Sequence, residues 1–117
     1  MLVFVSGTYA TVFRLSYGGV MSEKEKQIIK EISHLAEKYH ANRIVLFGSR
    51  ARRTHQEKSD IDLAVYGCEE FDNLYDAIQN DVWTLLEFDI INMDDSHLSS
   101  DLIREIDRDG VVIYEKV

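Results

Sequence analysis

The sequence predicts an α/β domain in which helices pack on one mixed sheet. The predicted order is helix, strand, short helix, strand, helix, strand, helix, strand, and such alternation is typical of helices layered on a sheet. A length of 117 residues allows one hydrophobic core and leaves no room for a second domain. Hydrophobic residues make up 45% of the chain and charged residues 29%, which is the balance of an ordinary globular domain.

The first predicted helix covers residues 22–40 and begins at a capping box. Ser22 and Glu25 have the Ser-x-x-Glu spacing in which each side chain caps the other residue's backbone N–H. Apolar residues then recur at helical spacing and form one stripe. The members of this stripe are Ile28, Ile29, Ile32, Leu35, Ala36 and Tyr39. An apolar strand over 44–47 comes next and ends at Gly48.

The middle of the chain predicts a short helix over 49–54, a strand over 60–66 and a longer helix over 70–83. The longer helix is indicated by apolar residues at helical spacing. These are Phe71, Leu74, Tyr75, Ile78 and Val82. Ten mostly polar residues, 50–59, lie between the Gly48-Ser49 turn and the strand over 60–66.

The last part of the chain predicts a strand over 86–93, a helix and a final strand over 111–114. Ser99 stands where an N-cap would begin the helix, which we expect to end at Asp109. Gly110 comes next as the expected C′ residue, a position that favours glycine.

Charge and composition exclude several classes of function. The net charge of −8 argues against broad nucleic-acid binding, which needs a basic surface. The basic residues concentrate between residues 50 and 58, where four of them accompany one acid. No apolar run is long enough to span a membrane. The single cysteine, Cys68, cannot form an internal disulfide and favours a reducing cytoplasm.

Residues 1–20 differ in character from the rest of the chain. They are apolar and rich in β-forming residues, but they lack the basic region and cleavage site of a secretory signal. We expect this leader to be an extension outside the core, with Met21 as the functional start and residues 21–117 as the domain. The alternative interpretation is an added strand or an exposed apolar segment used in association.

Candidate chemistry concentrates in the stretch IVLFGSRARRTHQEKSDIDLAV. Side chains alternate along a strand, so Asp60 and Asp62 project from the same face, about 7 Å apart. Two such carboxylates repel each other unless a cation lies between them, and Mg²⁺ prefers oxygen ligands of this kind. Gly48 and Ser49 offer backbone N–H groups and a hydroxyl, which suit a phosphate oxygen. The combination favours phosphoryl or nucleotidyl transfer.

This stretch resembles the signature of the minimal nucleotidyltransferases of the DNA polymerase beta-like superfamily. That signature is Gly-Ser, ten residues and Asp-x-Asp, and Gly48-Ser49 and Asp60-Ile61-Asp62 match it without a gap. The family's third carboxylate comes from a later strand in an apolar-Asp-apolar setting, which Phe88-Asp89-Ile90 resembles. The resemblance covers 21–117 and implies a single polymerase beta-like domain. One departure is Arg53, where the family often has glycine.

The resemblance also implies roles for individual residues. Asp60 and Asp62 would bridge two Mg²⁺ ions, and Asp89 would complete the ion nearer the attacking hydroxyl. Gly48 and Ser49 would hold the β- and γ-phosphates of ATP. A basic residue, Arg50 or Lys58, would offset the phosphate charge.

The partner is likewise implied by the resemblance. Members of the family often act as the antitoxin of a two-gene module and transfer AMP from ATP to a tyrosine of a HEPN-domain ribonuclease toxin. Three alternatives stay open: an antitoxin that only binds its partner, a nucleotidyltransferase for small molecules of the aminoglycoside type, and a degenerate structural subunit. An antitoxin that only binds would still neutralise its partner after Asp62→Ala. A small-molecule enzyme would transfer AMP with no protein partner present, and a degenerate subunit would show no Mg²⁺-dependent nucleotide binding.

Overall fold

A computed structural model describes the backbone of residues 2–6 and 9–13 and all of residues 21–117. The helices are α1 Glu23–Lys38, α2 Gly48–Arg52, α3 Phe71–Asp81 and α4 Ser100–Asp109. The strands are β1 Leu2–Ser6, β2 Tyr9–Phe13, β3 Arg43–Phe47, β4 Ile61–Tyr66, β5 Phe88–Asn92 and β6 Val111–Lys116. Every element predicted after residue 20 is present, with ends that differ by a few residues.

The strands form one mixed sheet in the order β1-β2-β6-β3-β4-β5. The β4–β5 pair is parallel, and the other pairs are antiparallel. A parallel pair needs a crossover connection, and α3 supplies it between β4 and β5. The predicted α/β class with a mixed sheet is therefore confirmed.

Alternating side chains of the sheet supply two separate cores. Ile44 and Leu46 face α1 and α3 in the larger core, whereas Val45 and Phe47 face α4 in the smaller one. Strand β4 has the same alternation, because Leu63 belongs to the larger core and Ala64 to the smaller one. Asp62 therefore lies on the α4 face of the sheet, where the covering layer is thinner.

Helix ends show where local signals succeed and where they fail. The capping box of α1 forms, with Ser22 and Glu25 each accepting a hydrogen bond from the other's backbone N–H at 3.1 Å. Ser99 caps α4 as predicted. Helix α3 ends at Asp81, two residues before the predicted end, so Trp83 lies in the next loop.

Gly110 is needed for a different reason from the one predicted. It caps α4 with φ −64° and is not a left-handed C′ residue. A Cβ at this position would lie 2.4 Å from the Ile106 carbonyl oxygen and 2.6 Å from Val45 Cγ1. The close packing of α4 on β3, and not a turn conformation, requires glycine here.

The leader contributes two strands at one side of the sheet. β1 pairs with β2, and β2 pairs with β6 from Tyr9↔Lys116 to Thr11↔Tyr114. This arrangement corresponds to the added-strand alternative, and the rest of the leader lies outside the described residues. That residues 21–117 suffice as the domain stays a prediction. A chain that begins at Met21 tests it: we expect cooperative thermal unfolding, and an unfolded chain would contradict the expectation.

Candidate active site

The structure brings Asp60, Asp62 and Asp89 to one corner of the sheet. Asp62 and Asp89 are register partners in the parallel β4–β5 pair, and Asp60 immediately precedes β4. On its other side Asp62 is the register partner of Phe47, the residue before Gly48. Neighbouring strands lie about 4.8 Å apart, so the two partnered carboxylates project side by side.

Burial and the repulsion of neighbouring carboxylates together set the electrostatics of this corner. Burial raises the pKa of Asp62 to about 6, and the negative charges of Asp89, Asp60 and Glu105 contribute to the rise, against a lowering by Arg52. The pKa of a carboxylate with a satisfied counter-charge would instead fall. The Asp62 carboxylate is thus a partly buried anion that its neighbours fail to neutralise.

Gly48 makes room for the Asp62 carboxylate. Its backbone is left-handed, with φ +71°, and a Cβ there would lie 2.1 Å from Asp62 Oδ2. Both the conformation and the approach exclude a larger residue. The structure therefore places Gly48 directly against the Asp62 carboxylate, with Ser49 half-buried after it.

Arg50 occupies a different place from the one predicted for a nucleotide contact. Its side chain is buried, and its guanidinium donates to the carbonyl oxygens of Ser59 at 3.0 Å and Glu57 at 2.9 Å. It also donates to the Glu25 carboxylate at 3.2 Å. A guanidinium held in this way positions the segment that leads into Asp60, so Arg50 has a structural role in place of the predicted phosphate contact.

Glu25 links the start of α1 to α2. Its carboxylate accepts hydrogen bonds from Arg53 at 2.8 and 3.1 Å and lies 3.9 Å from His55 Nε2. Burial by itself would raise the pKa of Glu25. Hydrogen bonds from Arg53 and the Ser22 N–H, with the charges of Arg53 and His55, outweigh burial and lower it to about 2.

Arg53 occupies the position after α2 where the family often has glycine. It has a left-handed backbone with φ 60°, the conformation for which glycine is the usual residue. Its guanidinium donates to Glu25 and to the Arg50 carbonyl oxygen at 3.1 Å. These contacts offset a backbone cost of about 1 kcal/mol or more.

Two residues near the carboxylates had no individual role predicted, although Arg52 belongs to the predicted basic cluster of residues 50–58. Arg52 acts on Asp62 as a counter-charge and lies 3.8 Å from Glu105 and 3.6 Å from Asp109 of α4. Helical spacing could have indicated Arg52, since it lies one turn after Gly48. Glu105 is brought to the site by the packing of α4, for which the local sequence carries no signal. Lys58 is exposed, and it forms no ion pair with any other described residue.

The three carboxylates suit a hard divalent cation by their chemistry. They supply oxygen ligands with uncompensated negative charge, as Mg²⁺ requires. Within residues 21–117, no three His, Cys, Asp or Glu side chains already converge to metal-binding distance. The residues that would hold the ion are Asp60, Asp62 and Asp89, and their metal role remains a prediction.

Asp62→Asn is expected to stabilise the metal-free protein by about 1 to 2 kcal/mol at pH 8. The folded-state pKa of Asp62 is raised, so its charge destabilises the fold above pH 6, and the penalty disappears as the pH falls toward the ordinary value of 3.8. Thermal unfolding of both proteins in chelator-containing buffer from pH 8 to pH 4 measures the difference. A gain that persists at pH 4 would show that charge is not the cause.

No helix among the described residues has the length and apolar character needed to cross a membrane.

The Polymerase beta, Nucleotidyltransferase family model matches residues 30–117, so the chain belongs to that family and is a nucleotidyltransferase domain. No curated protein matches the sequence.

Solved structures of toxin–antitoxin systems share the fold. One, a toxin–antitoxin with AMP-PNP, is 21% identical with a TM-score of 0.55, over 74% of this chain and 73% of that chain. Another, a mutant of the toxin–antitoxin MntA-HpeT, is 18% identical with a TM-score of 0.56, over 74% of this chain and 72% of that one. At these identities the likeness concerns the fold.

Proposed function

We propose that this protein is an antitoxin that transfers AMP from ATP to a hydroxyl, a tyrosine in the first instance, of a HEPN-domain toxin. The observation that carries the proposal is the pairing of Asp62 with Asp89 beside Gly48, in a chain of the nucleotidyltransferase family. The similar fold of a toxin–antitoxin with AMP-PNP supports ATP and a toxin as the reactants. The cytoplasm is the proposed compartment, consistent with a free, buried Cys68.

The residues position two reactants for one displacement. The acceptor oxygen bonds to the α-phosphorus of ATP, the bond from that phosphorus to the bridging oxygen breaks, and pyrophosphate leaves. Asp89, exposed at the rim of the corner, would take the proton of the acceptor hydroxyl. Bound at the three carboxylates, Mg²⁺ would stabilise negative charge on the entering and leaving oxygens.

The phosphates of ATP have two groups of candidate contacts. Gly48 leaves the backbone accessible beside Asp62, and Ser49 comes after it with a hydroxyl. Exposed Lys58 and half-exposed Arg52 are the cations placed to offset phosphate charge, since Arg50 is engaged elsewhere. Most of the rate enhancement would come from positioning and electrostatics.

The test is transfer of label from ATP to a purified HEPN-domain partner in the presence of Mg²⁺. We expect stoichiometric labelling of one hydroxyl and loss of the partner's toxicity. A partner that is neutralised without being labelled would refute catalysis and favour neutralisation by binding. Label on a small-molecule acceptor, with the partner absent, would refute the protein substrate.

Gly48→Ala is expected to lower the transfer rate about a hundredfold, because the new Cβ displaces the Asp62 carboxylate from its position. Gly67→Ala is the matched control. Gly67 also has a positive φ of 61°, and its Cβ would lie 2.2 Å from Asn42 Nδ2, at the opposite end of β4. Both variants should lose similar stability in thermal unfolding. Equal losses of transfer rate would mean that strain, and not carboxylate displacement, causes the effect.

A further inference from the structure

The loop between α3 and β5, residues 82–87, exposes two large apolar side chains. Trp83 is 90% exposed and Leu85 is fully exposed, while Val82 between α3 and Trp83 is buried. Large apolar side chains that lie together in water are a common sign of a binding surface. We refer to this segment as the Trp83 loop.

Hydrogen bonds fix the Trp83 loop in place. The Trp83 N–H donates to Glu31 Oε1 of α1 at 3.2 Å, and the Leu86 N–H donates to Thr84 Oγ1 at 3.1 Å. Buried Val82 anchors one end in the larger core. The loop therefore holds its two apolar side chains outward on an ordered backbone, which lowers the entropy cost of binding.

The Trp83 loop adjoins the carboxylate corner. The Glu87 carbonyl oxygen accepts a hydrogen bond at 2.9 Å from the N–H of Ile61, the residue between Asp60 and Asp62. Asp89 lies two residues after the loop. Trp83 is hydrogen-bonded to α1 on the face opposite Asp62, so a segment bound at the loop would reach the carboxylates by passing around this end of β4 and β5.

The charge around this surface selects the occupant. The acidic residues at the loop itself are Asp81, directly before it, and Glu87, its last residue, both of which are exposed. Glu31 of α1, which accepts the Trp83 N–H, adds a third carboxylate. Such a surface favours cationic segments and repels acidic ones, and Trp83 offers a ring face to a Lys or Arg side chain.

We infer that the Trp83 loop docks a cationic polypeptide segment that carries the acceptor hydroxyl to the carboxylate corner. The inference rests on the proposed function for the hydroxyl, while the docking itself rests on exposure, order and charge. It adds the acceptor-binding surface and the chemistry of the bound segment to that function.

Trp83 is the only tryptophan of the chain, so its fluorescence reports directly on this surface. The probe is a lysine–tyrosine copolymer, with a glutamate–tyrosine copolymer of equal length as its control. We expect the lysine–tyrosine copolymer to shift Trp83 emission to the blue and to reduce acrylamide quenching about twofold, as burial of an exposed ring requires. The glutamate–tyrosine copolymer should change neither quantity.

A double variant, Trp83→Gln with Leu85→Gln, measures the contribution of the loop. Its affinity for fluorescently labelled lysine–tyrosine copolymer, followed by anisotropy, should fall at least about tenfold. Val117→Gln is the control, since Val117 is apolar and exposed and lies after β6 near Asn42, at the opposite end of the sheet. Both substitutions lie at exposed positions, so thermal unfolding should remain cooperative.

The outcomes separate docking from transfer. Asp62→Asn should retain the blue shift while it loses labelling, and docking without any transfer would overturn the transfer proposal alone. Unchanged Trp83 emission, with wild-type labelling of the copolymer by the double variant, would overturn docking alone. A blue shift produced by raising the protein concentration without copolymer would identify a second copy of the chain as the occupant and overturn the inference.

Discussion

Asp62→Asn and Asp89→Asn are each expected to lower the rate of the proposed AMP transfer about a thousandfold or more, which corresponds to about 4 kcal/mol of lost transition-state stabilisation. The two side chains are register partners on adjacent strands, and each supplies a carboxylate to the same small volume. An amide has nearly the same shape but no negative charge, so it cannot replace either ligand. Single-turnover labelling of the partner protein measures the rate.

Asp72→Asn is the control for this pair. Asp72 is an exposed acid in the first turn of α3, and its substitution removes the same charge without touching the corner. We expect its transfer rate to remain within about twofold of the wild type, as for surface substitutions in general. Wild-type transfer by Asp62→Asn would refute the assignment. Because Asp62→Asn is also expected to stabilise the metal-free fold, loss of activity could not be attributed to unfolding.

Arg50→Ala is expected to lower the free energy of unfolding by about 3 to 5 kcal/mol. The side chain is 5% exposed, and its removal leaves the carbonyl oxygens of Glu57 and Ser59 without their donor, while Glu25 loses one of the two arginines that pair with it. For a domain of this size the loss amounts to a large part of total stability. Denaturant unfolding followed by circular dichroism measures it.

Arg43→Ala provides the matched surface comparison. Arg43 pairs with Glu115 at 3.1 Å, but both side chains are nearly half exposed. An exposed pair of this kind contributes less than about 1 kcal/mol, so the variant should unfold close to the wild type. Equal losses for the two arginines would show that the Arg50 contacts are no stronger than a solvated ion pair.

The sequence allowed the fold class and the corner to be predicted because both depend on local patterns. The Ser22 capping box, the apolar stripe of α1 and the Ser99 N-cap are signals within a few residues, and each formed as expected. Strand alternation predicted Asp60 and Asp62 on one face. Asp62 lies in β4, but Asp60 comes before the strand, so the shared face stays a prediction for Asp60. Asp89 could not be placed from the local pattern, because its pairing with Asp62 depends on which strands are neighbours in the sheet. The family resemblance, and not the local sequence, indicated Asp89.

The misplaced residues are those whose roles depend on partners distant in sequence. Arg50 comes directly after the Gly-Ser turn and so suggested a phosphate contact, but Glu25 lies 25 residues earlier and draws it into the protein. Arg53 likewise departs from the glycine of related signatures because Glu25 supports its backbone conformation. The predicted helix over 70–83 included Trp83, but α3 ends two residues earlier at Asp81, and Trp83 is exposed in the loop that follows.

The position of β5 at the margin of the sheet has a consequence for solubility. The outer side of an edge strand exposes backbone groups to which strands of other molecules can add. Proteins commonly prevent such aggregation with charged side chains on the edge strand. Asp89 is an exposed charge in this strand. The Asp89 carboxylate, proposed to bind metal, would therefore also hinder edge-to-edge aggregation through β5. Neutralising Asp89 would weaken that protection.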